Sequence, residues 1–170
     1  FIWGCFNIAV SLWGFGCFFI GISGDDYVSA IRSWRLFVFG ITFIPVFCYH
    51  FVSEYTNCKL KYFLVFCYIQ GVVFSFLALA TDYLVGQIEF SFNKFYYLKA
   101  NVFYTIFFAI WTIIVIVSFW ILFKFYVRAK DSKKIKSAYL FYGMLVGFLG
   151  GATTAPPAWG INFYPAGHFL

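Results

Sequence analysis

Few side chains in this sequence are of a type that does chemistry, and they lie far apart along the chain. Asp82, in LALATDYLV, is the one carboxylate inside a predicted apolar span. An ionisable group at membrane depth is by default a candidate for ligand or proton sensing. Asp82 falls near the end of its run, however, where interfacial water can solvate it, and both readings stay open. Asn162, Tyr164 and His168 form a second candidate set, the polar groups that follow an uncharged break in GATTAPPAWGINFYPAGHFL. His50, in PVFCYHFVSEYT, is of the residue type that can serve as a pH sensor. A lone histidine beside Tyr49 and Tyr55 reads first as a hydrogen-bonded structural residue, and His168 carries the same pair of readings.

Catalysis finds no constellation to work with. There is no phosphate-binding glycine loop with a lysine, no HExxH and no GxSxG. Asp25 and Asp26 are adjacent and read as turn or cap residues rather than as a convergent pair. The five cysteines, Cys5, Cys17, Cys48, Cys58 and Cys67, show no CxxC and no Cys/His pair at metal spacing. In an apolar helix a free cysteine behaves as a small hydrophobe. No catalytic residue, metal ligand or cofactor is therefore assigned to this stretch.

The elements that must position the candidates are apolar. Of 170 residues 64% are hydrophobic, 27% aromatic and only 11% charged, against about 45–50% apolar and about 25% charged in soluble domains. So few charges cannot cover a surface in water, and the chain reads as an integral membrane domain with the lipid bilayer as its first partner. The net charge of +6 does not point to nucleic acid, because no basic stripe with exposed aromatics accompanies it.

A spanning helix needs about 20 mostly apolar residues. The spans fall at about 1–22, 34–52, 62–85, 102–127 and 137–152, with the start of a sixth at 164–170. The fold class is all-α: a polytopic transmembrane helix bundle of five full spans plus that start. Tyr27 and Trp34 flank the first charged segment as an interfacial belt. Pro45 removes one backbone donor within the second span and predicts a kink near Ile41. A polar loop is expected from Gly86 to Asn101. Gly143, Gly147, Gly150 and Gly151 give the fifth span a small-residue packing face. The break after it, with Pro156 and Pro157, is a hinge candidate.

Loops alternate sides. The segments 23–35, 86–101 and 152–164 carry four Lys and Arg, whereas 53–61 and 124–136 carry eight, which together are all twelve. The positive-inside rule puts the basic segment 124–136 in the cytoplasm and the loop 152–164 outside, in a multi-pass protein of the plasma membrane. The chain starts at Phe1 and ends at Leu170, each inside an apolar run, and both ends read as cut.

Three stretches carry a family likeness, in order: NIAVSLWGFGCFF, SAIRSWRLFVFGITFIPVFCYHFVSEYT and KSAYLFYGMLVGFLGGATTAPPAWGINFYPAGHFL. Together they resemble the N-terminal seven-transmembrane sensor region of bacterial and archaeal histidine kinases, without its first helix and the end of its last. The resemblance implies a membrane input domain that relays an extracellular or in-membrane signal, from an unknown small molecule or lipid, to a cytoplasmic transmitter by helix rearrangement. It also implies a homodimer, and ATP and Mg used by a kinase domain outside this piece. A small transporter or channel is the alternative from another class. The same sensor coupled to a cyclic-dinucleotide or phosphatase output is a third reading.

Overall fold

The computed structural model describes residues 1–58 and 60–165. Its five long helices are α1 (Ile2–Ile22), α2 (Tyr27–Thr56), α3 (Lys61–Ala80), α4 (Val102–Arg128) and α5 (Asp131–Ala152). A hairpin of β1 (Ile88–Ser91) and β2 (Phe95–Leu98) joins α3 to α4, and a 3-10 turn, Pro156–Trp159, follows α5. Among the described residues, five helices are long and apolar enough to cross a bilayer. It is an all-α, polytopic membrane bundle with one small hairpin. Tyr164 and Pro165 have no regular structure, and residues 166–170, including His168 and most of the expected sixth span, lie outside the described residues.

Local chemistry moves several boundaries. Helix α2 starts at Tyr27 rather than near Trp34, because the Asp26 carboxylate accepts from the backbone N–H of Val28 (3.0 Å) and Ser29 (3.2 Å). It ends where Asn57 takes a left-handed φ of 55°. Helix α5 begins at Asp131, within the basic segment expected to be loop, since lysine is a good helix former. Helix α3 stops at Ala80: Thr81 is extended, and its hydroxyl donates back to the Leu77 carbonyl at 2.6 Å. Asp82 thereby lies beyond the end of the helix.

The expected polar loop at 86–101 is instead the hairpin. Ile88 pairs with Leu98 and Ser91 with Phe95 in antiparallel register. Its second strand is apolar and aromatic, and Phe95, Tyr97 and Leu98 are all buried. Trp34, expected at the interface, is 1% exposed beneath it. The Trp34 indole N–H donates to the Tyr96 carbonyl at 2.9 Å, and the Trp34 ring lies edge-on to Tyr97 at 4.9 Å. Tyr27 does stay at the surface, edge-on to Tyr96.

Helix α2 is the axis of the bundle, with α1, α3 and α4 packed on it; α5 packs on α4. The closest approach is between α1 and α2, through a reciprocal pair of glycines. A Cβ on Gly16 would lie 2.6 Å from the Phe37 Cα, and one on Gly40 would overlap the Trp13 backbone nitrogen. Only glycine allows backbones this near. The packing face expected on α5 is different: a Cβ added at Gly143, Gly147 or Gly150 meets nothing within 4 Å, and one at Gly151 meets only the Trp13 ring, at 3.7 Å. These glycines do not seat a neighbouring helix among the described residues, because α5 stands away from α1.

Candidate functional site

The separation of α5 from α1 leaves a cavity of about 440 Å³, within the range of about 300–1,000 Å³ usual for ligand pockets. Trp3, Phe6 and Trp13 of α1 form one wall and Gly143, Gly147 and Phe148 of α5 the other. Ile41 and Ile44 of α2 and Tyr104, Phe108 and Trp111 of α4 close the back. Among the described residues no lining side chain is charged. Trp3, Tyr139, Gly143 and Gly147 are exposed even though they line it, so the cavity opens along the α1–α5 side. The Trp13 indole N–H is buried without an acceptor among the described residues, one of the few polar groups at this wall.

One end of the cavity is roofed by the break after α5, where Thr154 and Ala155 line it. Thr153 and Thr154 turn the chain by donating their hydroxyls to the Gly150 and Gly151 carbonyls at 2.7 and 2.8 Å. Pro156 and Pro157 open the 3-10 turn, whose fixed φ suits them. The turn is tied to its surroundings. Ala100 N–H donates to the Ala158 carbonyl at 2.7 Å, and the Trp159 ring packs on Phe108 at 5.2 Å. The Tyr97 hydroxyl donates to the Thr154 carbonyl. Burial pushes this hydroxyl well above the ordinary tyrosine value, so it stays a donor. The hairpin thus bridges the break to Trp34 at the start of α2.

The back wall holds a second link to α2. Pro45 has no N–H, so the Ile41 carbonyl one turn earlier lacks its usual helical donor. The Trp111 indole N–H of α4 takes that place, donating to Ile41 O at 2.9 Å. Trp111 stacks on Phe108 at 5.6 Å with rings 5° from parallel, and contacts Phe148 of α5 at 5.7 Å. A cavity-lining side chain therefore satisfies the carbonyl that the proline leaves open. Sequence reasoning located Pro45 and the affected Ile41 but not the tryptophan, which is 70 residues away in sequence.

Among the described residues the sequence-predicted candidates do not converge. Asp82 pairs with Arg35 of α2 (Nη2 to Oδ1, 2.7 Å), and Arg35 Nη1 also donates to the Leu79 carbonyl at 3.3 Å. With the Asp82 side chain 79% exposed, this is a surface tie between the start of α2 and the end of α3. His50 Nδ1 lies 2.8 Å from the Tyr68 hydroxyl, a side-chain bond between α2 and α3. Tyr164 packs edge-on to Phe92 of the hairpin turn at 5.4 Å, with the Lys94 ammonium 5.9 Å from its ring. Asn162 is exposed. Of the hinge and packing set, Gly147, Gly151 and the start of the break border the cavity; Gly150 and Pro45 themselves do not line it.

Comparison with protein-family models, with curated proteins and with solved structures finds no match to this chain.

Proposed function

We propose that this bundle is the membrane input domain of a signal-transducing protein of the histidine-kinase sensor type. In this reading an apolar guest entering between α1 and α5 biases the bundle between two packings. The observation that carries it is Trp111, which lines the cavity and also donates to the carbonyl opened by Pro45. A guest that displaces the Trp111 ring alters the support of the Ile41 carbonyl beside Pro45 in α2, and one that moves α5 pulls on the Thr154–Tyr97–Trp34 connection. Both routes reach α2, on which α1, α3 and α4 pack. A ligand shifts such an equilibrium only by its differential affinity for the two packings. The uncharged lining favours sensing of an apolar signal over ion or polar-solute transport. The basic residues of 124–136 put that end in the cytoplasm by the positive-inside rule, so the hairpin and break face outward. The transmitter, its ATP site and the homodimer contact belong to this proposal.

Two measurements test it. The residues that follow Leu170 in the full-length protein should encode a dimerisation and phosphoacceptor helix and an ATP-binding domain; a reading frame without a transmitter of any kind overturns the proposal. In lipid nanodiscs, Gly147→Leu fills the cavity from a position with open space for a side chain and should change autophosphorylation several-fold. Unchanged output from a folded Gly147→Leu protein would also overturn it.

A further inference from the structure

We infer that the α1–α5 cavity is the seat of one acyl chain of an anionic phospholipid, whose headgroup is held by Lys133 and Lys136 at the first turns of α5. This assignment rests on the cavity reading above and names its guest. The lining runs along α5 from Tyr139 to Ala152, a rise of about 20 Å at about 1.5 Å per residue. One leaflet contributes about 15 Å of hydrocarbon, so the slot accepts an extended chain lying parallel to the helices. Its walls are aromatic and aliphatic, and it opens sideways along α1–α5, the direction from which a lipid arrives.

The charge at one end selects the headgroup. Helix positions three or four apart share a face. Following the lining residues Gly147, Gly143 and Leu140 back along α5 by such steps leads to Lys136 and then Lys133. Both are exposed, and neither is in an ion pair with a carboxylate among the described residues. Lys134, by contrast, lies 6.0 Å from the Tyr126 ring, and Lys124 lies 4.7 Å from the Trp120 ring. Two free ammonium groups above the mouth of a chain-length apolar slot complement a phosphate diester with an apolar tail. The opposite end is roofed by the break, where Thr154 and Ala155 line it. The lipid therefore enters headgroup-down from the basic side, where anionic lipids are concentrated if that side is cytoplasmic.

The test is tryptophan quenching in the full-length protein, since Trp3, Trp13 and Trp111 all line the slot. The protein is reconstituted in phosphatidylcholine vesicles with a minor fraction of either phosphatidylglycerol or phosphatidylcholine brominated in the acyl chain. Brominated phosphatidylglycerol should quench more at equal mole fraction. The excess should vanish in the Gly143→Leu/Gly147→Leu protein, whose added side chains occupy the slot. In Lys133→Gln/Lys136→Gln the preference for phosphatidylglycerol should fall at least about fivefold, the weight of one basic side chain near a surface. Circular dichroism checks that each variant is folded. Equal quenching by the two lipids in the wild type overturns the inference in favour of a neutral guest. A preference that survives the lysine changes overturns the headgroup site, and one that survives the glycine changes overturns the slot. None of these readouts depends on kinase output, so lipid selectivity can fail while Gly147→Leu still changes signalling, and the reverse.

Discussion

Replacing Trp111 by phenylalanine removes the indole donor to the Ile41 carbonyl, and its cost should depend on Pro45. Ile41 is 7% exposed, so its carbonyl has little access to water once the indole N–H is gone. Leaving a buried acceptor unpaired costs about 1–3 kcal/mol, while side-chain hydrogen bonds between membrane helices are worth about 0.6 kcal/mol on average and at most about 1.7. The substitution also shrinks a ring that packs against Phe108 and Phe148, which adds a loss unrelated to the carbonyl. A double-mutant cycle separates the two. In the Pro45→Ala background residue 45 has an N–H and can close the helical bond to Ile41, so the tryptophan donor becomes redundant and only the packing loss remains. We expect a coupling energy of about 1 kcal/mol between Trp111→Phe and Pro45→Ala. Equilibrium unfolding of the four proteins in mild detergent measures it. A Trp111→Phe penalty that is the same with and without Pro45 would refute the claim that the indole serves the carbonyl the proline opens.

Three further outcomes follow from the same geometry. Gly40→Ala should destabilise the bundle by more than about 2 kcal/mol because its Cβ meets the Trp13 backbone, whereas Gly143→Ala should change thermal stability by less than about 0.5 kcal/mol; comparable losses at both sites would contradict the packing described. Tyr97→Phe removes the donor to Thr154 and should speed hydrogen exchange across residues 153–164 several-fold without changing exchange in α3, as mass spectrometry can resolve. The Asp26 carboxyl is held below its ordinary value, first by the Ser29 hydroxyl and then by the Ser29 backbone N–H. A depressed value means the cap's contribution is complete above the ordinary carboxylate pKa and disappears as pH falls through the folded-state one. The stability gap between wild type and Asp26→Ala should therefore be constant near neutral pH and close in acid; a gap that widens on acidification would show that the sign is wrong.

The sequence by itself determined the solvent and the helices. Hydrophobic runs of spanning length, broken by charged or proline-rich segments, are a local property, and a bilayer enforces it because unpaired backbone cannot remain in hydrocarbon. Pro45 likewise identifies Ile41 as a carbonyl without its helical donor, since that consequence reaches only four residues along one helix. Glycine content did not say which glycines pack: Gly16 and Gly40 seat α1 on α2, while Gly143 and Gly147 border a cavity, a difference set by which helix lies opposite. The hairpin escaped notice because IEFS and FYYL are too short to show a period, and their burial comes from Trp34 and the break rather than from the strands. Asp82 could be read from the sequence as either an intramembrane or an interfacial carboxylate; that α3 ends at Ala80 and that Arg35 meets Asp82 from α2 are tertiary facts. The proposed site was the least legible part. It is a space bounded by four helices and closed by Trp111, and a one-dimensional pattern records which residues are apolar but not where packing leaves them without a neighbour.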